Sequence, residues 1–421
     1  MANITRPKGT ADIYGANAAM WRYIEGEIYK TADLFALEEM RTPMFESVEL
    51  FVRSVGEATD IVQKEMYTFT DRGERVFALK PEGTAPAVRA YLENSLHNMP
   101  MPVKMFYIAH IFRAERPQKG RYRQHHQFGV EFFGSNSAAS DAELISVGYY
   151  FLTKFGLANF DLHINSIGSS EDRKRYNTIL LDFLRGHIDG LCELCNSRME
   201  KNPMRVLDCK NPNCAAIVAN APVPLDHISP EAMEHFEALQ AHLNDLDIPF
   251  IINKGLVRGL DYYTHTVFEI IPTDNTGSQA TILGGGRYDG LIGSHGGSPT
   301  GAVGFGMGIE RLMILMEEQG KLPVIKTIID IFVGSMGEKG AAKARQLVYD
   351  LRKAGVSAIS DLCDRSVKAQ LKYADKLEAA FSLVLGETEL ESGRVLVKNM
   401  QNGETAEIEI DKIVEHFRRT T

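Results

Sequence analysis

The chain has 421 residues, enough for two or three domains, and its 44% hydrophobic and 24% charged content is that of an ordinary soluble globular protein. It carries 46 Lys+Arg against 55 Asp+Glu, a formal net charge of -9, so any polyanion must be met by a local patch rather than by bulk attraction. No apolar run approaches the ~18 residues of a membrane span. The opening "MANITRPKGTADIYG" lacks the basic and apolar regions of a secretory signal, which makes a cytoplasmic location the expectation.

Residues 17–40 read as an amphipathic helix, with Met20, Ile24, Ile28 and Phe35 near one stripe, broken at Pro43. "MYTFTDRGERVFALKPEGTAPAVRAYLEN" reads as a hairpin whose second strand ends at "KPEGT". A helix follows, with Thr84 as its N-cap and Pro86 in its first turn. Next come two strands joined by "FRAERPQKGRYRQHHQF", residues 112–128, where four arginines, a lysine and two histidines stand against one glutamate. Residues 138–156 read as a helix and "NFDLHINSIG" as a strand. From about 169 to 250 the texture is charged and helix-rich. Strand-like, glycine-punctuated sequence then returns in "LVRGLDYYTHTVFEII", "ATILGGGRYDGLIG" and "AVGFGMGIERLMILM". A catalytic-looking sheet over residues 1–325, interrupted by a helical insertion, fits this pattern better than two tandem domains. Residues 326–421 alternate strand and helix, with helices over 339–354 and 366–377, and describe a separate α/β domain.

Residues two apart on a strand share a face. "QFGVEFF" therefore sets Gln127, Gly129 and Glu131 on one face and Phe128, Val130 and Phe132 on the other, the pattern of a sheet face lining a cleft or of a strand with one wet face. Glu82 stands where a helix begins, and "RGLDYYT" places Arg258, Asp261, Tyr262 and Tyr263 just ahead of a strand. Carboxylates with Gln127 and tyrosine hydroxyls suit a ligand bearing an ammonium group; Arg113, Arg258 and Arg311 suit a polyphosphate. A cleft holding both charges implies an amine and a phosphate that meet. The bland alternatives are a structural ion pair for Arg311 and a pair between Arg258 and Asp261. "GFGMGIERL" lacks the P-loop pattern, and close packing of a strand on a helix would account for its glycines.

Cys192 and Cys195 form a C-x2-C, and Cys209 and Cys214 follow with four residues between them. Four thiolates so close could make a tetrahedral zinc site, but the second pair lacks the usual spacing, and Pro203 and Pro212 crowd the loop. Four buried or idle thiols is the competing reading.

Taken together, these stretches resemble the histidyl-tRNA synthetase family of class II aminoacyl-tRNA synthetases over nearly the whole chain. "MRTPMFE" looks like motif 1, with the class proline at Pro43. "FRAERPQKGRYRQHHQFGVEFFG" looks like motif 2, opening on Phe112, Arg113 and Glu115. "GFGMGIERL" looks like motif 3, ending on Arg311. "LVRGLDYYTHTVFE" and "GGGRYDGL" are similar to stretches that separate the histidine enzymes from their class. The resemblance implies an α+β fold: a six-stranded antiparallel sheet flanked by helices, a helical insertion and a C-terminal α/β anticodon-binding domain.

It also implies an ATP-dependent ligase that converts L-histidine and ATP, with Mg²⁺, to histidyl-adenylate and pyrophosphate, then passes histidine to the 3′ end of tRNA(His). Arg113 and Arg258 would be catalytic, on opposite sides of the ATP α-phosphate, with Arg311 on the far phosphates. Glu82, Gly83, Thr84, Arg113, Gln127, Glu131, Arg258, Tyr262 and Tyr263 would hold histidine, with Tyr288 nearby. Arg116, Gln118, Lys119, Arg121 and Arg123 would approach the tRNA acceptor end. Motif 1 implies a homodimer. Thr264 and His265 stand where many relatives carry other polar residues. The four-cysteine insertion occurs in only part of the family, so no metal role is inherited.

Two other readings compete. A paralogue of the family serves as a regulatory subunit of ATP phosphoribosyltransferase, keeping the catalytic fold but losing motif residues and the anticodon domain. A synthetase for proline or threonine would share the C-terminal domain type but not "RGLDYYT".

Overall fold

The computed structural model describes residues 3–418 except 58, 208, 210, 274–280 and 326–328. It divides into two compact units, Met1–Pro323 and Val324–Thr421. Residue 326, the start of the second domain in the sequence reading, lies outside the described residues.

The first unit is built on an eight-stranded sheet. Six strands run antiparallel in the spatial order Val103–Phe112, Gln124–Phe133, Ala302–Gly308, Leu283–Arg287, Thr264–Pro272 and Phe160–Ser166. At each edge a two-residue strand, Glu38–Glu39 or Ile251–Ile252, adds in parallel. The six antiparallel strands are those the resemblance implies; the two parallel edges are additions to it.

One face of the sheet packs the apolar residues Phe106, Phe128, Val130, Phe132, Val303, Phe305 and Met307. They meet the buried stripes of the helices Gly15–Leu34, Ala138–Thr153, Pro230–Asp245 and Ile309–Glu318. The first helix stops at Leu34, short of the expected residue 40. Ala36 turns left-handed at φ 52°, and the Leu37 N–H donates back to the Ala32 carbonyl. The freed residues pair with the neighbouring strand, Met40 N–H donating to Phe106 O at 2.8 Å. A tertiary contact ends this helix where its own periodicity would continue it.

A buried ion pair fixes helix Ala138–Thr153 to the sheet. Arg287 donates to Asp141 at 2.5 Å, with side chains 1% and 0% exposed. The remaining Asp141 oxygen accepts from Thr266 and pairs with His235. Arg287 of "GRYDG" is therefore spent on architecture, and its anchoring presents Tyr288 to the opposite face of the sheet.

That opposite face is covered by helix Thr84–Glu93 and by the insertion. The insertion opens with helix Ser170–Arg185, started by a capping box between Ser169 and Asp172. Three helices of seven residues or fewer follow, Glu193–Met199, Met204–Leu207 and Pro212–Val218, before Pro230–Asp245 returns to the sheet.

The second unit is a five-stranded sheet in the order Ala358–Ser360, Ile331–Ser335, Phe381–Leu385, Arg394–Asn399, Thr405–Glu409, parallel over the first three and antiparallel beyond. Helices Gly337–Lys353 and Val367–Lys376 accompany it, and its core gathers Ile331, Val333, Leu347, Leu351, Leu383 and Leu385.

Candidate active site

Cross-strand register defines the site. On the face turned away from the apolar core, one row reads Tyr107, Gly129, Gly306, Gly284, Glu269 across five strands. The next row reads Met105, Glu131, Gly304, Gly286, Val267. Glycine recurs where side chains would otherwise fill the space. A Cβ on Gly284 would lie 2.5 Å from the Arg258 guanidinium, and one on Gly304 would overlap the Glu131 carboxylate. The glycines of "GFGMG" therefore clear the floor of a cleft. Close packing on a helix, the bland reading of these residues, is the work of Val303, Phe305 and Met307 on the other face.

Glu131 sits at the closed end of this floor, fully buried. It accepts from the hydroxyls of Thr84 at 2.8 Å, Tyr107 at 3.0 Å and Tyr288 at 2.5 Å. Burial pushes its pKa up to about 8, against the pull of those hydrogen bonds, so the carboxyl is largely protonated near neutral pH until a cation joins it. Tyr262 and Tyr263 meet at a tilt of 52° with ring centroids 4.7 Å apart, and Tyr262 meets Tyr288 edge-on at 5.6 Å. These groups form one buried, aromatic, hydroxyl-rich cluster.

Glu82 and Thr84 take different local roles from those expected. Gly83, not Thr84, precedes the first helical residue, and the Thr84 hydroxyl points to Glu131. Glu82 caps the helix instead, accepting from the N–H groups of Thr84 and Ala85, each at 2.7 Å. Its longer carboxylate reaches both free donors at once, leaving the threonine hydroxyl for the cluster. Gly83 lets the Tyr107 ring lie against the chain at this turn.

Beside this cluster a cleft of about 240 Å³ is lined by Arg113, Arg121, Arg258, Arg311 and Gln127, with Glu115, Glu269 and Glu310 in the walls. Each arginine is held by protein. Arg113 Nε donates to Pro81 O at 2.8 Å. Arg311 donates to the carbonyls of Gly120 at 2.9 Å and Thr281 at 2.6 Å, and burial with Arg121 and Arg113 nearby draws its pKa down. Arg258 pairs with Glu269, whose other oxygen accepts from Thr281 at 2.9 Å. Burial works against the Arg258 charge, but Glu269 and Tyr263 outweigh it and raise its pKa. The expected bland pairing of Arg258 with Asp261 does not occur: Asp261 accepts from Asn202 at 2.7 Å and faces Arg205 at 3.4 Å. Converging guanidiniums held rigid by carbonyls and carboxylates suit a polyanion, and the neighbouring carboxyl-and-hydroxyl cluster suits a small polar cation.

A family model described as Histidyl-tRNA synthetase matches residues 9–312. The chain belongs to the histidyl-tRNA synthetase family. A second model, Anticodon binding domain, matches residues 330–420. A histidine–tRNA ligase from Acetivibrio thermocellus is 49% identical over 98% of this chain and 99% of its own length; one from Clostridium novyi is 50% identical over 98% of each. The crystal structure of apo S. aureus histidyl-tRNA synthetase matches with a TM-score of 0.85 at 38% identity, covering 99% of this chain and 100% of that one.

For a histidyl-tRNA synthetase family member, the motif 2 loop divides in two. Arg116, Gln118 and Lys119 are exposed, Lys119 meeting Glu318 at 2.7 Å. Arg121 turns inward to Glu115 at 2.7 Å and lines the cleft, and Arg123 Nε donates to the Glu115 carbonyl at 3.2 Å. Three contributors escaped sequence reasoning. Tyr107 lies opposite Gly129, a lone hydroxyl in the apolar run "MFYIAHIF". Glu269 lies on the site face of "VFEII" and holds Arg258. His125 lines the cleft, and burial, with Arg113 and Arg311 beside it, lowers its pKa to about 3, so it stays neutral among the cations.

Proposed function

We infer that the chain is a histidine–tRNA ligase: it activates L-histidine with ATP and transfers the histidyl group to the 3′ end of tRNA(His). The observation that carries this reading is the adjacency of the arginine cleft and the Glu131–tyrosine cluster on one glycine-cleared sheet face, in a chain of this family. Histidine binds at the cluster with its amino and imidazole groups toward Glu131, Gln127 and the tyrosines, and its carboxylate toward Arg258. ATP lies along the arginines, its α-phosphate between Arg113 and Arg258 and its outer phosphates at Arg311. A histidine carboxylate oxygen attacks the α-phosphorus, the bond to the β-phosphate bridge breaks, and pyrophosphate leaves. Arg113 and Arg258 oppose the charge that grows on the α-phosphate, and their fixed anchoring means little reorganisation at that moment. The terminal ribose hydroxyl of tRNA then attacks the histidyl carbonyl, and AMP leaves.

Mg²⁺ bound with ATP would offset phosphate charge; Glu115 and Glu310, carboxylates in the cleft wall, would hold it by exchanging their present partners Arg121 and His126. Arg116, Gln118 and Lys119, exposed on the loop, suit the tRNA acceptor end. The C-terminal unit serves the anticodon. A homodimer is supported by Phe45 and Phe69, which stand 48% and 42% exposed on a small three-stranded sheet in the order Phe45–Ser47, Val76–Leu79, Thr68–Thr70, whose first strand begins in motif 1. The substrates set a cytoplasmic location; among the described residues no helix is long and apolar enough to cross a membrane.

The regulatory-subunit reading is disfavoured by the retained arginines and by the second unit. A solved chain titled as an ATP phosphoribosyltransferase regulatory subunit/histidyl-tRNA synthetase from Bacillus halodurans is 20% identical, a likeness of fold alone. Pyrophosphate exchange that depends on histidine, followed by charging of tRNA(His), is the expected result. Stimulation of ATP phosphoribosyltransferase without tRNA charging would overturn it.

A further inference from the structure

The four insertion cysteines, separated by up to 22 positions in sequence, converge in space. Their sulfurs all lie within 4.8 Å of one another, Cys192 and Cys209 at 3.9 Å. Four sulfurs around one zinc, at Zn–S of about 2.3 Å, stand roughly 3.8 Å apart. The observed cluster is therefore within an ångström of that arrangement, and none of the four is in a disulfide.

The local fold explains how an irregular spacing closes. Cys192 immediately precedes helix Glu193–Met199, which carries Cys195 in its first turn. Asn211 caps helix Pro212–Val218, and Pro212 occupies its first position, the one place in a helix where proline is favoured. That helix start turns Cys214 back toward Cys192. Pro212 thus directs the ligand that it seemed to obstruct. Gly190 allows the turn ahead of the first helix to lie against Ile217, near the end of the second.

Backbone amides also aim at the sulfurs. Cys192 N–H donates to Cys214 Sγ at 3.1 Å, and Asn211 N–H to Cys209 Sγ at 3.5 Å. Amide donors of this kind stabilise thiolates, and a ring of donors around the ligands is what a metal centre requires beyond its first contacts. Cysteines buried merely as small apolar groups need neither convergence nor such donors.

We propose that Cys192, Cys195, Cys209 and Cys214 bind one structural zinc ion that ties the middle of the insertion together. All four positions are filled by protein sulfur, so the site is closed, as structural zinc sites are, with no place for a substrate. The need is local. Helices of seven residues or fewer do not hold their shape alone. This segment nevertheless reaches toward the active site, where Asn202 donates to Asp261, one residue before Tyr262. It also grips Asp60 through two contacts from Arg198, each at 2.6 Å.

The inference stands on the cysteines and not on the reading of the active site. Full-length protein, purified and dialysed against chelator, is measured by elemental analysis and by thiol titration of the native state. About one zinc per chain is expected. Of the five cysteines, the exposed Cys363 alone should react rapidly, and a mercurial should then release the zinc as the other four react. Cys363→Ser should abolish the fast reaction and keep the zinc. Cobalt reconstitution should give the intense visible bands of a tetrahedral thiolate site. Less than about a tenth of a zinc per chain in the folded wild type, with all five thiols reacting freely, would overturn the proposal. Iron in the site, or disulfides among the four, would overturn it equally. The measurements on wild type hold whether or not a ligand variant such as Cys195→Ser folds.

Discussion

Replacing Arg258 by alanine removes one guanidinium from the cleft and also strands Glu269, so a simple loss of activity would be ambiguous. The structure supplies the way to separate the two effects. Among the described residues Glu269 keeps only Thr281, at 2.9 Å, once its partner is gone. Breaking a fully buried pair costs about 3–5 kcal/mol, whereas an exposed pair is worth about 0–1 kcal/mol. The side chains here are 19% and 16% exposed, so roughly 2 kcal/mol of destabilisation is expected, a fall of a few degrees in Tm. Glu269→Gln on the same background removes the unpaired charge and should return most of that Tm. Catalysis should behave differently. Losing one preorganised donor at a developing charge lowers kcat by about 10²–10³, or about 2.7–4 kcal/mol. Histidine-dependent pyrophosphate exchange should therefore stay down by that factor in Arg258→Ala/Glu269→Gln despite its restored stability. Single-turnover transfer from preformed histidyl-adenylate should fall less, because the α-phosphate chemistry is already complete. Exchange that recovers to within a few-fold of wild type as Tm recovers would make Arg258 a structural residue and refute the reasoning.

Glu131, held at about 8 in the fold against an ordinary 4.5, keeps a proton that the unfolded chain loses, so its contribution to stability is present at low pH and is lost as pH rises through this window. Thermal melts from pH 5 to 8.5 should show that decline in wild type and a flatter profile in Glu131→Gln; identical profiles would remove Glu131 as the source. Histidine binding near pH 7 should release protons as the ligand's ammonium draws out the carboxylate, measurable by calorimetry in buffers of different ionisation heat, and the histidine KM of Glu131→Gln should rise well above that for ATP. Truncation after Pro323 should depress tRNA charging far more than pyrophosphate exchange, since residues 326–421 carry 15 Lys+Arg and 15 Asp+Glu and must recognise RNA by placed side chains rather than by net charge; equal loss of both activities would contradict that division. Arg116→Ala with Lys119→Ala should raise the KM for tRNA and flatten its salt dependence while exchange continues unchanged, and unchanged charging kinetics would take the loop tip out of the tRNA interface.

Much of this architecture is legible in sequence because the sheet has period two and one dry face. Phe128, Val130 and Phe132 point to the core, and Gln127, Gly129 and Glu131 to the site, as their alternation requires. What escaped depends on contacts between distant segments. The end of the first helix is set by Met40 pairing with Phe106, which no local propensity encodes. Thr84 loses its capping role because Glu131, 47 residues away, takes its hydroxyl. Arg258 pairs with Glu269 rather than nearby Asp261 because the strand leading from it returns a carboxylate to the same face, while Asn202 and Arg205 from the insertion claim Asp261. The cysteine cluster was undecidable from spacing because closure depends on how two short helices begin.

The glycines show how the two faces of one sheet share the work. A glycine inside a strand gives up side-chain packing and costs roughly 0.5–1 kcal/mol of backbone entropy relative to alanine. Gly129, Gly284, Gly286, Gly304 and Gly306 concentrate that cost in two adjacent rows across neighbouring strands. Strands Gln124–Phe133 and Ala302–Gly308 offset it on their other face, where Phe128, Val130, Val303, Phe305 and Met307 are at most 2% exposed, and strand Leu283–Arg287 adds the buried Leu283. Because the sheet is stabilised from behind, its front can be left bare, and Glu131, Gln127 and Arg258 can lie over glycine without displacing a neighbour. An antiparallel sheet is well suited to this arrangement. Its register is locked by the dry face, since a one-residue slip would carry every apolar side chain into the cleft. The packing that stabilises the domain therefore also sets the positions of the charged groups to which the chemistry is assigned.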